Sequence, residues 1–180
     1  MNQNPMPFGA DLPYPAVKAE QPNREYARMM LSNVGGRNSE MTAVSLYFYN
    51  HLVTHLEPDV SQAFHHISVV EMRHLEIFGE LALQLGEDPR LWAQHGRVKQ
   101  YWRPSYNQYP VRLPKLLLNA IDGERKAIEK YQRQAQRVDD ANIVENLARI
   151  IMDERQHITI MRQLYTAYCG ELPKPYIETP

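Results

Sequence analysis

Residues 60–85, VSQAFHHISVVEMRHLEIFGELALQL, decide the fold of this chain. Val60, Phe64, Ile67, Phe78, Leu81 and Leu85 keep alternating steps of three and four, the signature of a helix with one apolar face. The gap in that seam is filled by Glu71 and His74, where Leu or Ile would ordinarily stand. Glu71-Met72-Arg73-His74 is an E-x-x-H, which puts a carboxylate and an imidazole on one helix face about a turn apart. The pattern predicts a helix from about Asp59 to Leu85, with Gly86 as its cap.

A second E-x-x-H, Glu154-Arg155-Gln156-His157, lies on a seam of the same kind formed by Leu147, Ile150, Met161, Leu164 and Tyr168. That helix starts after Asp139–Asp140, which can cap it, and stops at Gly170. Two further helices precede these. One runs from about Asn23 to Leu56 with the seam Tyr26, Met30, Asn33, Arg37, Glu40, Val44, Tyr47, His51, weakened by Gly35–Gly36 at a cost of about 1 kcal/mol per Gly. The other begins near Pro114, a good first-turn residue, with the seam Leu117, Ala120, Glu124, Ala127, Tyr131, Val138. Each carries a lone Glu on its apolar seam, with a Tyr seven residues later: Glu40 with Tyr47, and Glu124 with Tyr131.

The two halves echo each other, because Glu40 precedes Glu71 by 31 residues and Glu124 precedes Glu154 by 30. At a rise of about 1.5 Å per residue, the Glu and the E-x-x-H of each hairpin reach the same height in the bundle. One E-x-x-H alone would more often mark a solvated helix face than a ligand pair. Two of them, both on apolar seams and both matched by an upstream Glu, are hard to obtain by accident. Four carboxylates at one level of an apolar core cannot persist uncompensated, since each buried charge costs several kcal/mol. The only basic residue on the seams is Arg37, about a turn from Glu40. Two divalent cations would neutralise the four carboxylates, and two neutral imidazoles would complete the set. The reading is therefore an all-α, ferritin-like four-helix bundle. Its metal-ligating residues are Glu40, Glu71, His74, Glu124, Glu154 and His157, holding two iron or two manganese ions per chain. Tyr47 and Tyr131 are placed to hydrogen-bond ligand carboxylates. His51, His55, His65, His66 and His95 read as structural or surface residues, and Cys169 carries no evident chemistry.

Residues 87–112 hold Trp92, Tyr101, Trp102, Tyr106 and Tyr109 but no helical stripe. A connection of this length suits a crossover along the bundle, joining helix two to helix three, with the aromatics pinning it down. Proline-rich ends (residues 1–22 and 171–180) read as extended arms that dangle or wrap a neighbouring subunit, with residues 23–170 as the bundle.

Bulk properties narrow the function classes. The chain has 180 residues, a net charge of −1 and 23% charged residues, which gives no reason to expect nucleic acid or an anionic membrane as partner. A single cysteine excludes an internal disulfide, an iron–sulfur cluster and a thiolate zinc site within one chain. No apolar run approaches a membrane span, and the start of the sequence lacks a signal peptide, so a cytoplasmic location is expected.

The ordered motifs resemble those of the manganese catalases, particularly the short spore-coat-associated type, within the di-iron and di-manganese carboxylate superfamily. The resemblance rests on Tyr14-Pro15 with Val17-Lys18, on Gly35-Gly36-x-x-x-Glu40-x-x-Ala43-x-x-x-Tyr47, on Glu71-x-x-His74-Leu75-Glu76, on Glu124-x-x-Ala127-x-x-x-Tyr131 and on Glu154-x-x-His157. It implies disproportionation of hydrogen peroxide at a di-manganese centre, with Glu154 handling protons beside the site. In rubrerythrins and bacterioferritins the residue matching Glu154 is instead a direct ligand, which implies a di-iron peroxidase or ferroxidase using O2 or peroxide with an external reductant. A third expectation is a coat or assembly protein whose metals mainly stabilise the fold. Such bundles usually form homo-oligomers. Two departures stand out: Gly123 occupies the place where the catalases carry an Arg before the third-helix Glu, and Ala127 replaces the extra glutamate of rubrerythrins.

Overall fold

A computed structural model describes residues 8–96 and 98–177, apart from the side chain of His95. Pro5, Pro7 and Pro180 of the two arms lie outside the described residues. Five α-helices form the bundle: α1 (Arg24–Gly35), α2 (Glu40–Val53), α3 (Pro58–Gln84), α4 (Leu113–Ala135) and α5 (Ala141–Cys169). They form two antiparallel hairpins, α1–α2 against α3 and α4 against α5, which enclose one core of Phe64, Ile67, Phe78, Ile121, Ile128 and Ile150 among others. No helix among the described residues is long and apolar enough to cross a membrane.

The first arm of the bundle was expected as one helix and is two. The chain goes extended at Gly36 (φ −74°, ψ 176°), and Ser39 starts α2 as an N-cap, its side chain accepting from the Thr42 amide. Breaking a helix leaves carbonyls without partners. Lys130 of α4 meets this need: its ammonium donates to the Asn38 carbonyl (2.7 Å) and adds a second bond to the Ser32 carbonyl (2.8 Å), which also accepts from the Gly36 amide. Asn33 and Gln134 add a reciprocal pair of hydrogen bonds across the same junction (2.8 and 3.0 Å). Arg37, expected on the seam, is exposed in the break, so it compensates no buried carboxylate. Tyr168, expected on the last seam, is also exposed (41%). The other three helices begin and end within a few residues of expectation. Gly86 takes φ +95° after α3, the left-handed value that a helix stop requires.

The crossover is more ordered than a plain connection. It contains an antiparallel hairpin of β1 (Trp92–His95) and β2 (Val98–Tyr101), with Trp92 opposite Tyr101. The aromatic side chains do pin it. Trp102 donates its indole hydrogen to Thr42 of α2 (3.0 Å), and Tyr49 and Tyr109 pack edge to face at 4.8 Å. The backbone of Trp92 presses on Gly35, where an added Cβ would lie 2.3 Å from the Trp92 nitrogen. Both tryptophans therefore pack against the first arm of the bundle.

The described parts of both proline-rich ends, residues 8–22 and 171–177, pack on their own chain. From residue 8 onward the N-terminal arm lies along α3 and α5. Residues Lys174–Tyr176 form a 3-10 turn held to α4, where Tyr176 donates to Asp122 (3.0 Å).

Candidate metal centre

Glu40 opens α2, Glu71 and His74 lie midway along α3, Glu124 lies midway along α4, and Glu154 and His157 lie midway along α5. All six are buried and meet at one level of the core. They form two overlapping groups, Glu40–Glu71–His74–Glu154 and Glu71–Glu124–Glu154–His157. In each group the donor atoms lie within 4.8 Å of one another. Glu71 and Glu154 belong to both, so the groups share two carboxylates and differ in one Glu and one His.

Both imidazoles present Nδ1 to the carboxylates. His157 Nδ1 is 3.0 Å from Glu71, 3.0 Å from Glu154 and 3.4 Å from Glu124. His74 Nδ1 is 3.3 Å from Glu71 and 3.4 Å from Glu154. The two tyrosines cross the bundle. Tyr47 of α2 donates to Glu124 of α4, and Tyr131 of α4 donates to Glu40 of α2. The hydrogen bonds expected of Tyr47 and Tyr131 are thus present, each to the lone Glu of the opposite hairpin.

Burial dominates the electrostatics. It raises Glu71 well above the ordinary carboxylate range, and the charges of Glu154, Glu124 and Glu40 push it further. Glu124 is lifted by the same two causes to about 7. Burial also works against ionisation of Glu154, but His74 and His157 beside it overcome this and bring it to about 2. Burial opposes charging of both imidazoles, and the surrounding carboxylates outweigh it, so both are raised well above the usual histidine value. Burial and the neighbouring carboxylates hold Tyr47 and Tyr131 well above the ordinary phenol range, so they remain hydrogen-bond donors.

This donor set fits two divalent ions. Four carboxylate and two imidazole donors are oxygen-rich with nitrogen, the combination suited to iron or manganese. The buried Oε1 atoms of Glu71 and Glu154 make no well-formed hydrogen bond among the described residues and face only the imidazoles of His157 (3.0 Å) and His74 (3.4 Å), which leaves them as donor atoms for a cation.

The sequence reading missed Asp153, which accepts from His74 Nε2 at 3.0 Å and so turns Nδ1 toward the cluster. Its only sequence signal is its place directly before Glu154. His51 proves structural as expected, bonded to Ser61 (2.9 Å). A cavity of about 50 Å³ between α2 and α4 reaches Glu40, Glu124, Tyr47 and Tyr131, and is bordered by the small residues Ala43, Gly123 and Ala127. That is space for one or two water-sized molecules.

The rubrerythrin family model matches residues 38–165, which include all six clustered side chains. The chain belongs to the rubrerythrin family. As a rubrerythrin-family member it has the ferritin-like bundle, and solved structures agree. It is similar to the wild-type manganese catalase KatB from Anabaena, with a TM-score of 0.81 and 20% identity over 97% of this chain and 86% of that one. A second KatB structure, from Anabaena PCC7120, gives the same values. Mycobacterium tuberculosis bacterioferritin BfrA follows with a TM-score of 0.62 and 19% identity, over 82% of this chain and 87% of that one. At these identities the likeness is one of fold. No curated protein matches this rubrerythrin-family chain.

Proposed function

We propose that this protein is a dinuclear-metal oxidoreductase that consumes hydrogen peroxide, converting two molecules into two of water and one of O2. The observation that carries the reading is the pair of overlapping four-residue groups sharing Glu71 and Glu154, beside a cavity sized for a peroxide molecule. Glu40 and His74 would serve one manganese or iron ion, Glu124 and His157 the other, and Glu71 and Glu154 both. When bound, such a pair of ions supplies a two-electron redox change at closely spaced centres.

The side chains do the remaining work. Tyr47 and Tyr131 fix the carboxylates of Glu124 and Glu40, one from each side of the bundle. Asp153 keeps His74 in one orientation. Glu154, between the two imidazoles, is the carboxylate through which a proton leaves the substrate and returns. The apolar packing above and below the cluster limits water to the cavity between α2 and α4.

A second reading, a di-iron peroxidase or ferroxidase that needs an external reductant, is favoured by the match of residues 38–165 to the rubrerythrin model; in it Glu154 is a ligand alone and carries no proton. Elemental mass spectrometry on the native protein, with O2 release followed in the same sample, tests the proposal. About two manganese ions per chain with O2 release and no added reductant supports disproportionation. Bound iron with reductant-dependent turnover moves the assignment to the second reading. Bound metal without turnover, together with a lower melting temperature on chelation, assigns the metals to holding the fold.

A further inference from the structure

Residues 9–14 of the N-terminal arm lie in the surroundings of His74. Asp153 Oδ2 receives the Tyr14 hydroxyl at 2.6 Å as well as His74 Nε2 at 3.0 Å. Asp153 Oδ1 receives the Ala10 amide at 2.7 Å and the Arg149 guanidinium at 2.6 Å. Arg149 in turn grips the arm, donating to the carbonyls of Leu12 and Ala10, both at 2.9 Å, and lying over the Tyr14 ring at 4.3 Å. Further along, Asn146 donates to the Ala16 carbonyl (3.0 Å) and Gln84 brackets Val17 and Ala19. The arm approaches so closely that a Cβ at Gly9 would stand 2.8 Å from Asp153 Oδ1.

Among the described residues the other half of the centre has no such support. His157 Nε2 is buried and has no hydrogen-bond partner among the described residues. Pseudo-symmetry relates the two Glu–Tyr–Glu–His sets, and the arm breaks it on one side only.

We propose that residues 9–14 form a strap that positions His74 through Asp153, and that Tyr14 is its positioning residue, so that one of the two metal sites depends on the arm and the other does not. The proposal rests on the reading of the six clustered residues as a metal centre. An aspartate fixed by three donors holds the imidazole tautomer and ring orientation and makes Nδ1 a better ligand. Without the strap, Asp153 keeps only Arg149 of its three donors and gains freedom to turn, and His74 with it.

The test is titration of cobalt(II) into the metal-free full chain, followed by calorimetry and by the visible bands of the bound ion. Thermal denaturation of the metal-free forms runs alongside. Tyr14→Phe keeps the ring and removes the donor, whereas Gly9→Ala pushes the strap away and leaves Tyr14 intact. The wild type should take two ions, and in both variants one binding step should weaken about 10–100-fold while the other changes by less than about twofold. A merely structural role would weaken both steps together and lower the metal-free melting temperature of Tyr14→Phe, and that result would overturn the proposal. So would unchanged affinities in both variants with two ions still bound. A wild type that takes no cobalt would overturn the metal-centre reading and the strap with it.

Discussion

The Tyr47 hydroxyl donates a 2.5 Å hydrogen bond to Oε1 of Glu124, so that a residue of the first hairpin fixes a carboxylate of the second. Tyr47→Phe should keep the fold and weaken metal binding about 10–100-fold, since the freed carboxylate can rotate away. Equilibrium dialysis with elemental analysis reads this directly. Tyr131→Phe should do the same through Glu40. Wild-type affinity in both variants would remove the tyrosines from the site.

The metal-free protein should lose stability as pH rises. Glu124 at about 7 and the raised Glu71 bind protons in the folded chain that the unfolded chain has released. Their contribution is fully present below the unfolded carboxylate value and disappears as pH climbs through the folded one. Both imidazoles are raised as well, and their contribution is present below the ordinary histidine value and lost above it. Glu154 has the opposite sign, but its stabilisation is lost only as pH falls toward about 2. Between about pH 5 and 7, therefore, the metal-free melting temperature should fall, while above that the buried Lys130, lowered to about 7, adds the opposite slope. Metal loading should reverse the trend, because the ions take the place of the protons. Scanning calorimetry with and without a chelator tests both slopes, and a metal-free protein more stable at about pH 7 than at about pH 5 would contradict them.

Gly123→Leu should obstruct the cavity between α2 and α4. A Cβ placed at Gly123 meets nothing within 4 Å, so the side chain enters open space at the cavity wall. The expected result is a lower kcat/KM for peroxide by about tenfold or more, with metal content unchanged. Wild-type kinetics in this variant would mean that substrate arrives by another route.

Glu154→Gln should bind less metal as well as turn over more slowly, because Glu154 belongs to both ligand groups. A loss of about 10²–10⁴ in rate with two ions still bound would instead make it an acid–base group alone. Elemental analysis of the same preparation used for kinetics separates the two.

Gly35→Ala should destabilise the fold by about 1–3 kcal/mol, because the new methyl collides with the Trp92 backbone and forces the crossover hairpin off α1. Denaturant midpoints measure the loss. Since Gly35 touches none of the clustered residues, metal stoichiometry should stay at the wild-type value.

The clustering of the six carboxylate and imidazole side chains was legible because they violate a strong local rule. Glu71, His74, Glu154 and His157 stand where helix periodicity demands hydrocarbon, and spacings of 31 and 30 residues from Glu40 and Glu124 put them at one height. The strap was not legible, because Tyr14, Ala10 and Asp153 are far apart in sequence and obey no shared period. Asp153 reads as one more acid beside Glu154 until α3 and α5 are packed. The break between α1 and α2 was only half legible. Gly35–Gly36 signalled a weak point, but the capping by Ser39 and the ammonium of Lys130 that sustain it depend on α4 lying alongside. For the same reason the crossover hairpin escaped notice: its short strands alternate weakly and gain their order from Thr42 and Gly35.

The strap also sets an order of events during synthesis. Residues 9–14 leave the ribosome early, yet Asp153, Arg149 and Asn146, which hold the arm, lie on the last helix of the bundle. Residues 9–14 can therefore meet α3 early but lack these α5 partners until the last helix has been made. On the strap proposal, the His74 half of the centre reaches its full metal affinity only once α5 has packed against residues 9–14, which ties metal uptake to the closing of the bundle.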